Sequence, residues 1–523
     1  MKRIFLTLLP LSLSTLAVAQ TWNEAFVNQP QNVRYESRNP TRLAYNQQQD
    51  FAVAEAGYSM EKGDLHAIDR SGNASRFGGY IGGLRKIGGF NLAGHIRYVN
   101  EKDREQSWNS TLWNLADNPY ILCDSVPGDA TTESFDMLAT AAYSFSPRLK
   151  AGLELGLRTG HRADQNDPRP RTTNAIIPIT AGIDYQLGQQ WTLGLSAGVR
   201  LQSSVIEYTT TISNVYYRFF LMKGMGDYAK RTTSDSPGYY RDYKGNSYNG
   251  AVNVVWQSVS GNMSDMLELS FDNNNQDATD GATSYTFHGG DYTENIFKLH
   301  NRFWWRQSER MLHNITIDAA LQNGKGTWYD QKRQTDLEHG NLVYYEILNK
   351  SVNHKNQRLK AALAYQLDML NEGRRDLFIR AEAGMSSLVR KQLLGDATPK
   401  QEIQSLSLQL QAGKTIYINK VSLLAQIGGG YLTPQKQTYA SGSVYTDEDN
   451  IDAVYTRRIF EYESAQCWNA EALVDASLPV GPKLTAGAYA GLRYRAYSGK
   501  NEYWQGYDGT RLTTLDAGLY IKF

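Results

Sequence analysis

Apolar and polar residues alternate along almost the whole chain. In the last segment, LTTLDAGLYIKF, the apolar residues Leu515, Leu519 and Ile521 fall on one face of an extended strand. Asp516 and Lys522 fall on the other face. The segments KAGLELGLRTG and WTLGLSAGVRLQ repeat this period of two. Each such segment predicts a β-strand with one apolar and one polar face.

The connections between these segments alternate in length. Turns such as KIGG, FSPRL, QLGQQ and MLNEGRR are short, and long polar stretches fall between them. Transmembrane barrels have this arrangement, with short periplasmic turns and longer external loops. The sequence therefore predicts an all-β fold, a transmembrane antiparallel up-and-down β-barrel of about 18 strands (16–18) with long extracellular loops. The expected long loops are 102–133, 209–246, 274–291, 324–353 and 434–459.

The N-terminus predicts export. MKR is followed by the apolar run IFLTLLPLSLSTL and by Ala17-Val18-Ala19, which together are typical of a secretory signal peptide. An uncleaved anchor is the alternative, but the apolar run is short for a membrane-spanning helix. We therefore expect a signal peptide at 1–19, an N-terminal periplasmic or lumen-inserted segment at 20–50, and the outer-membrane β-barrel at 51–523.

Composition excludes a helical membrane protein. The mean hydropathy is -0.51, and no segment after the leader has the roughly 18 unbroken apolar residues that a spanning helix needs. Basic and acidic residues nearly cancel, 54 against 53, so no nucleic-acid partner is expected. The 34 tyrosines, 10 tryptophans and 45 glycines favour strands with aromatic belts.

The final strand carries a resemblance to a known class. LDAGLYIKF alternates and ends in the aromatic Phe523, and in this the chain resembles the Gram-negative outer-membrane β-barrel proteins. The resemblance implies an outer-membrane location, contact with membrane lipid, and recognition of the last strand by the barrel-assembly machinery. The loop style, the tyrosine content and the segment NPTRLAYN resemble large barrels of Bacteroidota, some of which accompany TonB-dependent uptake systems.

That second resemblance implies a TonB-dependent receptor or a surface lipoprotein as a partner. The chain itself is not expected to be such a receptor, since only about thirty residues separate Ala19 from the first predicted strand. A receptor of that class carries a folded plug domain before its barrel.

Charged residues on the polar strand faces give the strongest functional signal. A barrel of this size is wide enough for an aqueous channel unless something fills it. Two interpretations stay open: a pore whose two signs of charge meet at a constriction, or a blocked interior in which the charges pair. The candidate lumen-lining residues are Arg97, Glu154, Arg158, Arg200, Lys298, Arg302, Arg358, Lys360, Arg380, Glu382, Glu471, Asp475, Arg493 and Arg495.

Catalytic and metal-binding signals are weak. Ser196 lies in a formal G-x-S-x-G match, but that motif needs a strand-to-helix turn and here falls inside a strand. His95 and His300 have no second ligand at metal-binding spacing. The acidic loop DNNNQDATDG lacks the glycine and closing glutamate of a calcium loop. The sequence therefore predicts no catalytic residue, metal or cofactor.

Two further features concern the long loops. The aromatic residues Tyr216, Tyr217, Phe219 and Phe220 are too apolar for a solvated loop, so we expect them to pack in the barrel mouth, against a partner, or on neighbouring loops. Cys123 and Cys467 are the only cysteines. In an exported chain they either form a disulfide that holds loop 102–133 over the lumen, or remain two unpaired residues.

These features predict a non-enzymatic outer-membrane barrel that acts as a pore or as an accessory component of a surface nutrient-uptake assembly. The alternatives are a closed structural or partner-binding barrel in a secretion or assembly complex and, more distantly, a barrel-wall hydrolase.

Overall fold

The computed structural model describes residues 33–46, 50–211, 215–232, 238–281, 286–338, 340, 342–393, 398–440, 449–498 and 510–523. The predicted signal peptide lies outside these ranges. The strands in chain order are β1 (Phe51–Gly63), β2 (Asn73–Ile87), β3 (Phe90–Gln106), β4 (Leu122–Asp124), β5 (Gly128–Ser144), β6 (Leu149–Asp164), β7 (Pro170–Leu187), β8 (Trp191–Thr209), β9 (Arg218–Gly224), β10 (Asp227–Thr232), β11 (Gly238–Gln257), β12 (Met263–Asp280), β13 (Phe287–Ser308), β14 (Met311–Asp336), β15 (Leu342–Asn371), β16 (Arg374–Gln392), β17 (Lys400–Ile418), β18 (Val421–Ala440), β19 (Cys467–Pro479), β20 (Thr485–Tyr497) and β21 (Arg511–Lys522).

Eighteen of the described strands form one closed antiparallel barrel. Each barrel strand pairs with the next one along the chain, and β21 pairs back with β1, for example Ile521 with Ala54. The last residue also contributes, since the backbone of Phe523 exchanges hydrogen bonds of 2.7 and 2.9 Å with that of Ala52. No edge of the barrel sheet is left open to lipid, so the hydrogen-bonding groups of its backbone are paired without water. The predicted architecture is confirmed.

The connections sort by length as predicted, but several strands are longer than expected. The expected loop 274–291 is largely strand because β12 continues to Asp280 and β13 begins at Phe287, and the expected loop 324–353 is largely strand because β14 has 26 residues and β15 has 30. The expected loop 209–246 contains β9, β10 and the first residues of β11. A strand needs only about 9–11 residues to cross a bilayer. β14 and β15 therefore continue beyond the membrane as a hairpin whose backbone groups stay paired.

The outer wall is apolar and the inner wall polar. On β6, Leu153 and Leu155 are 43% and 46% exposed, whereas Glu154 between them is 3% exposed. Aromatic residues surround the barrel beside the short turns: Trp191 contacts Trp256 at 6.5 Å, and Trp305 stacks on His313 at 4.7 Å. An apolar exterior with an aromatic belt is what a lipid bilayer requires. The chain is an outer-membrane β-barrel.

The remaining elements are small. β4, β9 and β10 form a separate three-stranded sheet. Residues Val33–Glu36 and Pro40–Tyr45 form 3-10 turns, and a π-helical turn at Asp452–Thr456 continues into α1 (Arg457–Glu463). Within the described part of the chain, no helix is long and apolar enough to cross a membrane.

Candidate functional site

Two segments of the chain enter the barrel lumen. The N-terminal segment (residues 33–46) contacts β3, β5, β6, β7, β12 and β13. The inserted loop (residues 107–127) connects β3 to β5 and carries β4. A third group, the cap, consists of the β4-β9-β10 sheet and residues 449–464. These three parts form the candidate site.

The N-terminal segment begins beside the short turns. Val33 is buried against Val255, Met266 and Trp304, close to the ends of their strands. Further along, Leu43 packs with Leu84 and Ala142 on the opposite part of the wall. Apolar contacts therefore fix the segment at both of its ends.

Polar groups hold the middle of this segment. Arg38 donates two hydrogen bonds to Asp272, at 2.7 and 3.1 Å, and the Ser37 hydroxyl donates to Glu268 at 2.6 Å. Arg42 pairs with Glu154 at 2.6 Å. Charge-assisted hydrogen bonds of this kind are about twice as strong as neutral ones. The acidic wall residues are thus matched by basic residues of the segment.

Glycines in the wall let the segment approach closely. A Cβ atom at Gly182 would lie 2.1 Å from the Asn39 side-chain oxygen, and one at Gly152 would lie 2.6 Å from the backbone of Pro40. Asn39 itself donates to Asp184 at 2.8 Å and caps the turn that begins at Pro40. The sequence of the wall is therefore adapted to the segment it holds.

Asp117 fastens the inserted loop to one side of the lumen. Its carboxylate accepts hydrogen bonds from Arg358 at 2.8 and 3.2 Å, from Arg390 at 3.0 Å and from Gln322 at 3.0 Å. The Asp117 side chain is 1% exposed. Burial alone would raise the pKa of Asp117, but the guanidinium groups of Arg358 and Arg390 lower it well below the usual range. The carboxylate is therefore ionised at every physiological pH.

The inserted loop contacts the other side of the lumen through Trp113, four residues before Asp117. The Arg158 guanidinium lies 3.8 Å above the Trp113 ring, and Gln202 donates to the Trp113 carbonyl oxygen at 2.9 Å. Arg158 lies on β6 and Arg390 on β16, which are eight steps apart around a ring of eighteen strands. The inserted loop thus spans the lumen almost along a diameter.

The cap closes over the inserted loop. Trp108 and Cys123 pack with Phe220, Ile451 and Tyr455 in one buried cluster. Asp449 receives hydrogen bonds from Arg218 at 2.7 Å and from Lys230 at 3.3 Å. Arg390 pairs with Glu463 as well as with Asp117. A single arginine therefore joins the loop and the cap to the wall.

The predicted lumen-lining residues lie on the inner face, and many have partners there. Lys298 pairs with Asp272 at 2.7 Å and Arg302 with Glu36 at 3.5 Å, so both contribute to the network that holds the N-terminal segment. The other contacts are Arg200 to Ser247 at 3.1 Å, Arg380 to Glu382 at 2.8 Å, Gln411 to Glu471 at 2.6 Å, Tyr520 to Asp475 at 2.9 Å, Arg493 to Asp516 at 2.9 Å and Arg495 to Tyr462 at 3.2 Å. Arg97 and Lys360 also lie on inner faces, on β3 and β15. The interior is a dense, largely paired network.

The predicted aromatic cluster divides in two. Phe219 and Phe220 are 0% and 3% exposed and lie in separate buried clusters of the cap. Tyr216 is 70% exposed. The structure therefore buries the two phenylalanines, whereas the expectation that Tyr216 packs with them is wrong.

Of the two alternatives for the cysteines, the structure has the unpaired one: both are free and buried. Cys123 belongs to the cluster of Trp108 and Phe220, whereas Cys467 packs with Leu65 and Tyr462 at the start of β19. The loop does fold over the lumen, but ion pairs and apolar packing hold it there. The bridge prediction was wrong because each thiol fills its own apolar site.

We expect thiol titration of the denatured, unreduced protein to find two free thiols per chain. In the folded protein both should react slowly, because burial raises the pKa of the Cys123 thiol and reduces its thiolate fraction. Rapid labelling of Cys123 in the folded state would show that the cap is open in solution.

We expect Asp124 to make the cap sensitive to pH. Burial raises the pKa of its carboxyl to about 7, although the Val126 N–H donates to it at 2.9 Å. In the unfolded loop it ionises near pH 4. The folded state therefore binds the extra proton, so cap stability should fall as pH rises from about 4 to about 7, by about 1.4 kcal/mol per pH unit. Hydrogen exchange of β4 and β9 amides measures this, and Asp124→Asn should remove the dependence.

Sequence reasoning missed the residues that fasten the lumen contents. Asp117, Arg390 and Glu463 were assigned no role, and Glu36 lay in a segment with no assigned contacts. Glu36 lies 3.2 Å from His300, which also contacts Asp318 at 2.8 Å. The only signal was the apolar stretch around Asp117 in LWNLADNPYIL. Within the described ranges, no three His, Cys, Asp or Glu side chains are placed to hold a metal ion.

Comparison with known proteins identifies a family. Residues 40–523 match the model of the family of unknown function DUF6850. The chain belongs to this family. Among curated proteins, none matches the chain significantly. The DUF6850 barrel is also similar to several solved structures.

The RagAB peptide importer in its closed-closed state is 9% identical, with 91% of this chain and 87% of that chain covered and a TM-score of 0.42. The copper transporter OprC is 6% identical, with 90% and 80% covered and a TM-score of 0.44. The siderophore receptor PiuA from Acinetobacter baumannii is 10% identical, with 91% and 82% covered and a TM-score of 0.41.

Proposed function

We propose that this barrel is a gated outer-membrane transport protein that works in a surface nutrient-uptake assembly and is closed in the conformation described here. The observation that carries the proposal is the Asp117 network. It holds a loop across the lumen through side chains that remain charged and could separate into water. A barrel with only a structural role would be equally stable with apolar packing at this place. The reason is that a buried ion pair adds little stability relative to well-packed apolar groups.

The N-terminal segment supplies the second closure. It enters the lumen beside the short turns, and its contacts with Asp272, Glu268 and Glu154 are charged or strongly polar. The inserted loop lies further toward the long loops. A solute crossing the barrel would therefore have to displace both segments, one from each side.

The partners follow from this closed state. A barrel closed from both ends needs a signal to open, and in this proposal a TonB-dependent receptor or a surface lipoprotein supplies it. Assembly into the membrane would use the last strand, which ends at Phe523, as the element recognised by the barrel-assembly machinery. The barrel does no covalent chemistry in this proposal.

Swelling of proteoliposomes in arabinose and in a glycyl dipeptide tests the proposal. The wild-type barrel should admit neither solute quickly. A variant in which a Gly-Ser linker replaces residues 109–119 should swell faster with both once the N-terminal segment is also removed, because neither segment then crosses the lumen. The control variant replaces the same number of residues, 334–344, whose described members belong to the β14–β15 hairpin, and it should behave as wild type.

Two results would refute the gated barrel. Rapid swelling of the wild type would show a constitutively open pore. No swelling of the loop variant, even when the N-terminal segment is also removed, would support the alternative of a closed structural or partner-binding barrel.

A further inference from the structure

The outer surface of strands β11 to β17 carries two features that the lumen does not explain. One is an apolar groove within the membrane-facing wall. The other is a set of polar rows directly above it, on the side of the long loops. Both lie on outward-facing positions, and they follow one another within a few residues along the same strands.

The groove has a volume of about 640 Å³. Phe271, Phe297, Leu321 and Leu359 line its upper part and form one cross-strand row over β12 to β15. Ala319 lies in the row below and leaves room between larger side chains. A concave apolar surface at membrane depth has the shape and chemistry to hold acyl chains.

The next outward row consists of amides. Asn273, Asn295, Asn323 and Gln357 are register partners across β12 to β15. Asn273 donates to Asn295 at 2.8 Å, and Gln357 donates to Asn323 at 3.0 Å. Amide side chains offer both donors and acceptors, so this row suits a hydroxyl-rich or amide-rich headgroup.

The row above the amides consists of lysines. Lys325 is the register partner of Lys355, Lys355 of Lys391, and Lys391 of Lys400, over four adjacent strands. Lys400 pairs with Glu402 at 2.8 Å. Among the described residues, the other three lysines form no ion pair and are exposed. Strands lie roughly 4.8 Å apart, and like charges directly opposite one another are destabilising.

Three carboxylates also face this surface. Asp277 and Asp291 lie one row further out on β12 and β13, as register partners of each other. They flank the lysine row at one end, and Glu402, which also pairs with Lys436, flanks it at the other. Among the described residues, no carboxylate forms an ion pair with Lys355 or Lys391 at the centre of the row.

We propose that this surface binds an outer-leaflet lipid with several acyl chains and a phosphorylated sugar headgroup. The chains occupy the groove, the sugar contacts the amide row, and the phosphate lies against Lys325, Lys355 and Lys391. An anion at this position relieves the repulsion between the lysines. From the membrane interior toward the long loops, the surface presents the groove, the amide row and the lysine row. This order matches the order of acyl chains, sugar and phosphate in the lipid. The inference depends on the orientation of the barrel and not on whether the lumen opens.

Native mass spectrometry of the full-length barrel in detergent tests it, with lipid A, phosphatidylglycerol and phosphatidylethanolamine as probes. We expect lipid A to bind most tightly. Combining Lys325→Ala, Lys355→Ala and Lys391→Ala should weaken lipid A binding by roughly fivefold for each lysine. Ala319→Trp, which fills the groove and keeps the charge, should also weaken it.

The matched control combines Lys86→Ala, Lys420→Ala and Lys483→Ala. These three exposed lysines lie beside short turns, so the change of net charge is the same and lipid A binding should not change. Unchanged binding in the first triple variant would refute the site. Equal binding of phosphatidylglycerol, lost in parallel, would refute the assignment to a sugar lipid. Dimers of the wild type that disappear in the triple variant would show that a second copy covers the surface instead.

Discussion

A peptide tag inserted after Gly340 will be labelled by antibody on intact cells, and the same tag after Gly373 will not. Both glycines are turn residues with positive φ, at 79° and 76°, and neither has any atom within 4 Å of its added Cβ position. Gly340 lies between β14 and β15, beyond the long hairpin, whereas Gly373 lies in the short turn between β15 and β16. The two sites therefore differ only in the side of the membrane that they face.

Permeabilised cells provide the control, since both tags should then be labelled equally. Labelling at Gly373 on intact cells, with none at Gly340, would show that the barrel has the opposite orientation in the membrane. It would also place the lysine row in the wrong leaflet for a sugar lipid.

Asp117→Ala will release the inserted loop from the wall. The substitution leaves Arg358 without its carboxylate, and Arg390 keeps only Glu463. Removing one partner of a buried ion pair costs about 3–5 kcal/mol, so the amides of residues 109–120 should lose protection by roughly a hundredfold or more. Hydrogen exchange measured by mass spectrometry reports this locally, and the barrel strands should keep their protection.

Asp376→Ala is the matched control. Asp376 pairs with Lys414 at 2.6 Å, but the two side chains are 29% and 50% exposed. An exposed pair contributes about 0–1 kcal/mol, so exchange should hardly change. If Asp117→Ala left the loop as protected as Asp376→Ala does, apolar packing of the cap would hold the loop and the ion pairs would not.

The barrel could be predicted from sequence because its strands obey a local rule. The alternation in LDAGLYIKF places Leu519 and Ile521 at 67% and 46% exposure and Asp516 at 6%. The short turns follow from glycines and polar residues at fixed places, such as Gly88 and Gly373. The strand pattern and the turn residues can each be recognised from residues that are neighbours in the sequence. The surrounding lipid requires every strand to have an apolar outward face, so the same pattern recurs in each.

The contents of the lumen could not be predicted in this way. Asp117 meets Arg358 and Arg390 across 241 and 273 residues of chain, and no local pattern encodes that contact. The disulfide prediction failed for the same reason, because two cysteines in one chain say nothing about the separate apolar clusters of Cys123 and Cys467. The lysine row was missed since each lysine is ordinary within its own strand. It emerges only when the register of four strands is known.

Single-channel recording in planar bilayers tests the closed, gated barrel most directly. The wild-type protein should insert without steady conductance, and Asp117→Ala in a variant without the N-terminal segment should show openings that return to the closed level as the loop leaves and re-enters the lumen. A steady, large conductance from the wild type, unchanged by Asp117→Ala, would contradict the account.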